Sequence, residues 1–561
     1  GEQLIMQIMQ KTVLASMLSC ISLSVWADVV PNAGQLLQQQ QMIPYQPQAA
    51  IELESATTVP PALASDEQIR VEKIQITGNQ SLSREVLHAL VVDYEGKTLT
   101  LGELQQLAIQ ITQYYQQQGY PYSRAYLPAQ NLSQGVVTIA VLEARYDGIS
   151  YNNQSRTRNA LIDATLQPLQ AGQVITSQAL EQQIKLLNRL DGVQSRNILS
   201  AGQSTGTSQL NIDIAPTAAM TGYVGLDNYG NEYTREVRFN AGAAVHNPFG
   251  LGDKLSVDAM TSGKMHYGRV GYEATINGMG SRLGASYSDL IYELGKEYKA
   301  LDAEGKAQQA SIWLNQPVLL SNRSEVLLNA QYDYKQLEDD IGVANVYRHR
   351  DVHVGRLSVQ AAQYDNFAGG GLNQLNISND FGQVKYQNAA AKKADQATAQ
   401  TQGSFYRAHL NLSRLQNLGL PATQLYTGIQ AQYSPDNLDS SEQFSMGGAY
   451  TVAGYQNSVL SGSSGYYAVA ELRQGLLNTA QHHLMLKVYV DSAEVKKQAQ
   501  RWAGLTGDNR ERISSAGLGM DWSDNKRFQL QSKVGFPIGA TPTSIDKKHD
   551  AEGWLSMMMR F

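Results

Sequence analysis

Hydrophobic and polar positions along the chain fall into two regimes. From Ile69 to about residue 216, strand-like and helix-like periods alternate. Ile69, Val71, Ile74 and Ile76 predict a strand that ends at Gly78-Asn79. Ser83 to Val91 is helical in pattern. Thr100 and Glu103 are spaced for a capping box at the start of a second helix. Leu104, Leu107, Ile111 and Tyr114 lie on one face of that helix, and Gly119 ends it. Strands over 123–127 and 135–143 complete a β-α-α-β-β unit. The order then repeats: a strand over 146–151, a helix over 158–166, and a second helix opened by Thr176. Strands over 193–199 and 209–215 close the second unit. The pattern predicts two small α/β modules, 67–144 and 145–216.

After Pro216 helical periodicity nearly vanishes. In 484–491, Leu484, Leu486, Val488 and Val490 alternate with Met485, Lys487, Tyr489 and Asp491. Segments 266–276 and 527–536 alternate likewise. One apolar and one charged face over ~10 residues fits a lipid-facing barrel with a wet lumen. A soluble β-sandwich shows the same alternation, but with shorter strands and more continuous external charge. The stretch 217–561 divides into sixteen such segments, at ~21 residues each. An even count returns both ends to the side of the N-terminal modules. Longer insertions are expected near 338–348, 387–403, 434–465 and 494–510. The last segment, 554–561, places Leu555, Met557, Met559 and Phe561 on the lipid face.

The N-terminal part reads as an address and a tether. Lys11, the apolar run 12–25 and Ala27 predict a signal peptide over 1–27, cleaved after Ala27. Met17-Leu18-Ser19-Cys20 is a faint lipobox, an alternative reading, as is a short buried helix. Residues 1–10 lie outside the signal pattern. Residues 28–43 hold a helix-compatible stretch too short to be stable alone in water. Residues 44–66, with Pro44, Pro47, Pro60 and Pro61, read as a linker able to span ~80 Å. No later run of 18 apolar residues predicts a transmembrane helix.

Composition narrows the function classes. Net charge is −6, from 44 Lys and Arg against 50 Asp and Glu, which argues against a nucleic-acid partner. Charged residues make up 17% of the chain, with 48 Gly and 30 Tyr, as expected of many strands and interfacial aromatics. Cys20 is the single cysteine, so no intramolecular disulfide and no Cys-based zinc site can form. No metal and no cofactor are expected.

This order of signal, short helix, linker, two β-α-α-β-β modules and sixteen-stranded barrel resembles the outer-membrane transporters of two-partner secretion. These are the TpsB proteins of the BamA-like superfamily, and the pattern looks closest to the CdiB and ShlB types. The modules resemble POTRA domains, 28–43 resembles the family's plug helix, and the terminal strand ending in Phe561 resembles a barrel insertion signal. The sharpest match is Gly447-Gly448-Ala449-Tyr450-Thr451-Val452-Ala453-Gly454-Tyr455. The family carries GG…VRG(Y/F) at the tip of its sixth extracellular loop, folded into the lumen. Here that loop is 434–465, between the eleventh and twelfth strands. The family's Arg pairs with an Asp on strand thirteen in an F-x-D-x-G pattern; here Tyr489-Val490-Asp491-Ser492-Ala493 supplies Asp491. Two departures stand out: Ala453 replaces the Arg and Ala493 the Gly. Alanine cannot make the charge-assisted contact of an arginine. Either other contacts hold the loop, or an Arg-to-Ala change has disarmed it, in which case Ala453→Arg raises secretion.

The resemblance implies a mostly β, non-enzymatic translocator in the Gram-negative outer membrane, with its POTRA domains in the periplasm. It would capture an unfolded TpsA-type exoprotein there and export it without ATP; no nucleotide-binding motif is present. The expected cargo is a contact-dependent inhibition toxin, a haemolysin or an adhesin. The other expected partners are the lipid bilayer and, during biogenesis, the barrel-assembly machinery, with the transporter a monomer. Strand addition to the modules is one capture mode, and Tyr114, Tyr115, Tyr120, Tyr122 and Tyr126 are candidate capture residues that could equally be core or groove aromatics. Gly202-Gln203-Ser204-Thr205-Gly206 matches GxSxG but falls between two strands, not before a helix, so it reads as a hairpin loop. An insertase of the BamA type is the alternative function; a passive porin or adhesin would not need periplasmic modules.

Overall fold

The computed structural model describes residues 31–40, 53–55, 68–131, 134–545 and 549–561. The expected signal peptide lies outside the described residues, as does the expected linker apart from 53–55. Helix α1 (Ala33–Gln39) occupies the stretch expected to hold the plug, and strand β1 (Leu53–Ser55) follows it.

The first module comprises β2 (Gln68–Arg70), β3 (Lys73–Thr77), α2 (Arg84–Ala89), β4 (Thr98–Thr100), α3 (Leu101–Gln117), β5 (Arg124–Tyr126) and β6 (Val136–Leu142). Its main sheet has the order β3-β6-β5. The capping box forms as its spacing predicts: the Glu103 carboxylate accepts the Thr100 N–H at 2.7 Å, and the Glu103 N–H donates to Thr100 Oγ1 at 3.2 Å. Leu104, Leu107 and Ile111 of α3 pack on Ile74, Ile76 and Ile139 of the sheet.

The second module comprises β7 (Arg145–Asn153), α4 (Asn159–Leu166), α5 (Ser177–Asn188), β8 (Val193–Ala201) and β9 (Thr207–Pro216). Its sheet order is β1-β8-β9-β7, so the segment 53–55 joins it from outside. Residues 202–206 form the loop between β8 and β9, as a hairpin reading of the GxSxG match requires.

Helix α5 docks the second module onto the periplasmic turns of the barrel. Lys185 Nζ lies 3.2 Å from Glu325 Oε1, with both side chains buried. The Gln182 and Glu181 side chains accept the N–H groups of Leu320 and Asn322, each at 2.7 Å. Gly278 sits so close to Ala164 that an added Cβ would lie 2.2 Å from its carbonyl oxygen.

Sixteen antiparallel strands close the barrel, from Met220–Asp227 to Glu552–Arg560. The closing seam pairs Tyr223–Asp227 with Ser556–Arg560. Asn228 lengthens it with a side chain that mimics a peptide: its Oδ1 accepts the Leu555 N–H and its Nδ2 donates to the Gly553 carbonyl, each at 2.7 Å. At the other end Phe561 exchanges backbone hydrogen bonds with Gly222, and its ring covers that glycine. The outward band includes Leu486, Val488, Val490, Leu518, Val534 and Phe536, all exposed in the isolated chain.

The expected insertions differ in kind. At 338–348 the strands Ser324–Ile341 and Val346–Asp365 stay paired up to Ile341–Val346, so the extra residues lengthen a hairpin. The loop 387–403 contains helix α6 (Ala389–Gln396), fixed by the Asp395 carboxylate, which accepts the N–H groups of Thr401 and Gln402 at 2.9 Å. Strands His483–Lys496 and Arg510–Ser523 pair through Lys496–Arg510, leaving 497–509 as the fourth loop.

Candidate functional site in the lumen

Among the described residues, two segments occupy the barrel interior. The first is α1, whose Asn32 side chain caps the helix by accepting the Gln35 N–H at 3.1 Å. A seven-residue helix gains little from its own hydrogen bonds, so packing must hold it. Leu36 and Leu37 are buried in one cluster with Leu290, Ala307, Leu337, Val352 and Val354 of the barrel wall. Strict alternation predicts a polar lumen, and here the prediction fails. In Ser324–Ile341, Asp333, Lys335 and Leu337 share the buried inner face, while Leu328 and Tyr332 are exposed outside and Gln336 follows them on the same outer face. Beyond the lipid band the outside is water, so polar residues turn outward and apolar ones line the seat of the plug.

Polar contacts orient α1. The Ala33 N–H donates to Asp339 at 2.7 Å, Gln38 Nε2 to the Gln443 carbonyl at 2.8 Å, and Gln39 Nε2 to Ser458 Oγ at 3.0 Å. Gly34 meets residues 440 and 441 so closely that an added Cβ would lie 2.6 Å from the Ser441 nitrogen. The helix therefore bridges the wall and the second occupant, the loop 434–463.

That loop descends into the lumen between strands Thr423–Tyr433 and Ser464–Asn478, the eleventh and twelfth of the barrel. A two-stranded ribbon, Phe444–Met446 with Leu460–Gly462, stiffens it. Gly447 and Gly448 have φ of 105° and 108°, which L side chains rarely adopt, and the Gly448 N–H donates to the Tyr455 carbonyl at 2.9 Å. Val452 and Tyr455 are buried with Phe444, Met446, Val495 and Ile513.

Ala453 is fully buried, and the loop tip is held without an arginine. Its N–H points to Asp491 at 3.4 Å, and its carbonyl accepts the Trp554 indole N–H at 2.8 Å. The Gly454 N–H donates to Ser515 Oγ at 3.1 Å, and Ser515 in turn donates to Asp491. The tip also lies against the wall at Gly535, where an added Cβ would sit 2.5 Å from the Ala453 carbonyl carbon. A cation is nevertheless close: Lys533 attracts Asp491, lies 4.2 Å above the Tyr489 ring and donates to the Ala449 carbonyl at 3.4 Å. Asn457 donates to the Tyr229 carbonyl at 2.6 Å, so the tip touches both sides of the seam. Ala493 is buried in the same cluster as Val452.

Sequence reasoning missed the second anchor, on the descending arm. Glu442 is fully buried between Lys335 at 2.6 Å and Arg407 at 3.0 Å, and Asp439 pairs with Arg350. Arg350 also reaches Asp339 at 2.8 Å and Ser440 Oγ at 3.1 Å. Asp380 binds Arg407 and, at 2.9 Å, Arg356. The only signal in the sequence is polar parity on adjacent strands, which marks the face but not the partner.

The candidate capture tyrosines are dispersed. Tyr115 is a core residue, which corrects its assignment to a capture surface. Its hydroxyl donates to Glu143 at 3.0 Å and its ring meets that of Tyr120 edge-on. Tyr114 and Tyr120 pack on the first module's core and Tyr122 on the second's; Tyr126, on β5, is exposed. Glu143 ties the modules together: it accepts the N–H groups of Gln80 and Ser81 at 2.8 and 2.7 Å and lies 3.6 Å from Arg145. Burial opposes its ionisation, but those N–H donors and the Ser81 and Tyr115 hydroxyls outweigh it and hold the carboxyl below its ordinary range.

The comparisons agree with this architecture. Residues 206–521 match the family "Haemolysin secretion/activation protein ShlB/FhaC/HecB", and residues 69–144 match "POTRA domain, ShlB-type". The heme/hemopexin transporter protein HuxB of Haemophilus influenzae (strain 86-028NP) is 27% identical, over 98% of this chain and 99% of its own. The outer membrane transporter CdiB of Escherichia coli O6:K15:H31 is 25% identical, over 73% of this chain and 69% of its own. Among solved structures, CdiB from Escherichia coli superimposes with a TM-score of 0.73 at 19% identity, covering 95% of this chain and 100% of that one. With the plugged sixteen-stranded lumen and two docked modules, these matches place the protein in the Gram-negative outer membrane: the chain belongs to the ShlB/FhaC/HecB family of haemolysin secretion/activation proteins, the transporters of two-partner secretion.

Proposed function

We propose that this transporter captures an unfolded exoprotein through its periplasmic modules and passes it through the lumen once α1 and the loop tip have moved aside. The observation that carries the reading is the plug: a short helix, unstable alone, seated in the lumen by two leucines and a few hydrogen bonds. Such a seat is specific yet small enough to be vacated. The GG…VAGY tip, Asp491 and Ser515 act as one latch of the loop, and Asp439 and Glu442 as the other. No step draws on a nucleotide; folding outside makes the passage directional.

The cargo is a large secreted exoprotein: a contact-dependent inhibition toxin, a haemolysin or an adhesin. Similarity to HuxB along nearly the whole chain adds a heme/hemopexin system to these classes. The transporter works as a monomer, and the barrel-assembly machinery inserts it by reading the terminal strand through Phe561. The protein is not an enzyme.

The test is co-expression with the neighbouring exoprotein and assay of the medium, with a second arm lacking residues 67–215. Secretion that requires both barrel and modules supports the reading. Intact periplasmic cargo in every arm, beside a folded barrel, moves the assignment to an insertase.

A further inference from the structure

Where the second module meets the barrel, a stiff turn of the module is clamped to a periplasmic turn of the wall. In the module turn, Asn153 Oδ1 accepts the Ser155 N–H at 3.0 Å, and Asn153 Nδ2 donates to the Thr157 carbonyl at 2.8 Å. Thr157 is buried, and its hydroxyl accepts from Asn247 Nδ2 at 2.8 Å. The Arg158 N–H donates to the Gly250 carbonyl at 2.9 Å. The two turns lie so close that a Cβ added at Gly250 would sit 2.7 Å from the Arg156 carbonyl oxygen and 3.2 Å from Arg158 Cγ. Arg156 and Arg158 flank Thr157 and are exposed. Among the described residues, no hydrogen bond or ion pair engages either guanidinium.

The wall turn sets these two cations at the edge of the lipid band. Phe249 of that turn is 61% exposed, and its ring meets that of Tyr272 edge-on at 5.9 Å. Tyr272 pairs across the sheet with Leu255, on the lipid-facing side of the wall. Its hydroxyl donates to Asp253 at 3.0 Å and feels the charge of Arg158. At the next periplasmic turn Ile276 and Met279 are exposed as well. Aromatic girdles mark the interfaces of a barrel wall, so the arginines stand at headgroup level. Two carboxylates of these elements are already engaged. Asp253 is fully buried and accepts the Leu251 N–H at 3.0 Å, and Asp163 of α4 accepts from the Tyr151 hydroxyl at 2.6 Å. We propose that Arg156 and Arg158, with Phe249 and Tyr272 beside them, bind the phosphate headgroup of an anionic phospholipid in the periplasmic leaflet.

Charge and shape select this ligand. Guanidinium groups take phosphate oxygens in charge-assisted, bidentate contacts. The aromatic pair offers an apolar wall to the first methylenes of an acyl chain, which a free phosphate does not have. A zwitterionic headgroup carries its own ammonium and gains less from two cations. An anionic one gains about fivefold in affinity per arginine. A lipid held here touches the module through Arg156 and Arg158 and the barrel through Phe249 and Tyr272, so it bridges the clamp and steadies the docked module. Such a site does not depend on the export reading above.

The test uses the full-length transporter, purified in detergent and mixed with phosphatidylglycerol or phosphatidylethanolamine. Native mass spectrometry counts the lipid retained, and heat-modifiability verifies that each variant holds a folded barrel. The wild type should retain phosphatidylglycerol about tenfold better than phosphatidylethanolamine; equal retention overturns the proposal. Arg156→Gln with Arg158→Gln should abolish that preference, and an undiminished preference overturns the site. Lys526→Gln with Arg527→Gln makes the same charge change on another exposed turn of the same rim and should leave the preference intact. Equal loss in both double variants means diffuse attraction to the rim and overturns the site. Phe249→Ser should lower phosphatidylglycerol retention about threefold, and excess glycerol phosphate should not displace the lipid. Retention insensitive to Phe249 and lost to glycerol phosphate would make this a free-phosphate site and overturn the lipid assignment.

Discussion

The Asp339 carboxylate accepts the backbone N–H of Ala33 at 2.7 Å, so a wall residue of the barrel holds the first turn of the plug. The same carboxylate accepts from Arg350 at 2.8 Å, and Arg350 pairs with Asp439 of the lumen loop. Plug, wall and loop thus share one buried charge relay, and neither occupant can leave without disturbing the other's partner.

Arg350→Ala removes the middle of that relay and leaves the buried Asp439 and the partly buried Asp339 without their cation. Breaking a buried pair this way costs about 3–5 kcal/mol. We expect a lower midpoint of thermal unfolding and more frequent open events in planar bilayers than the wild type shows. Bilayer traces indistinguishable from wild type would show that the relay does not hold the plug.

Glu442→Gln should loosen the loop more than Asp491→Asn. Glu442 faces two buried cations, whereas Asp491 is served by a serine hydroxyl, a long backbone contact and the attraction of Lys533. Proteolysis of the loop in intact cells measures this. The ranking fails if the Asp491→Asn loop is cleaved faster.

Ala453→Arg now has a defined environment. Tyr489 and Trp554 share Ala453's buried cluster, and Lys533 already supplies positive charge to Asp491. The expected gain in secretion therefore requires Lys533 to yield. We expect Ala453→Arg alone to match or fall below wild type, and Ala453→Arg with Lys533→Met to exceed it. Secretion assays of the two variants decide; a full gain from the single change would mean that the lysine is no substitute.

Glu143 makes the junction of the modules acid-sensitive. Its folded carboxyl lies below the unfolded value, so its stabilisation is complete above the unfolded value and is lost as pH falls through the folded one. Hydrogen exchange at Gln80 and Ser81, taken relative to the intrinsic amide rate, should rise once the pH falls below the ordinary carboxylate range. Glu143→Gln should raise it at pH 7, at a cost of about 2 kcal/mol. Flat exchange across this range would remove Glu143 as the tie.

Much of this was legible in the sequence. Thr100 and Glu103 announce their helix, and residues 484–491 announce a wall strand, because capping and alternation are local. The loop motif marks its tip through the φ requirements of Gly447 and Gly448. What stayed hidden depends on height and pairing. Val352 and Val354 obey alternation yet face inward, because the medium outside them is water and not lipid. Glu442 and Lys335 lie 107 positions apart, and nothing local to either names the other. Tyr115, four residues after Ile111, continues the stripe of Leu104, Leu107 and Ile111 into the first module's own core, the place that the spacing alone gives to Tyr114.

The barrel wall is not of one height. Strands Ala303–Leu320, Ser324–Ile341 and Val346–Asp365 have 18, 18 and 20 residues, while Met220–Asp227 and Lys254–Thr261 have eight. At ~3.4 Å per residue the difference is roughly 35–40 Å along the strands. Short turns join the strands on the periplasmic side, so the excess stands on the outer one. The rim is therefore oblique, with its low side at the seam. A polypeptide leaving it has a backstop on one flank and an open sill on the other, so its first contacts outside the cell are directed sideways, across the bilayer surface, and not straight out along the barrel axis.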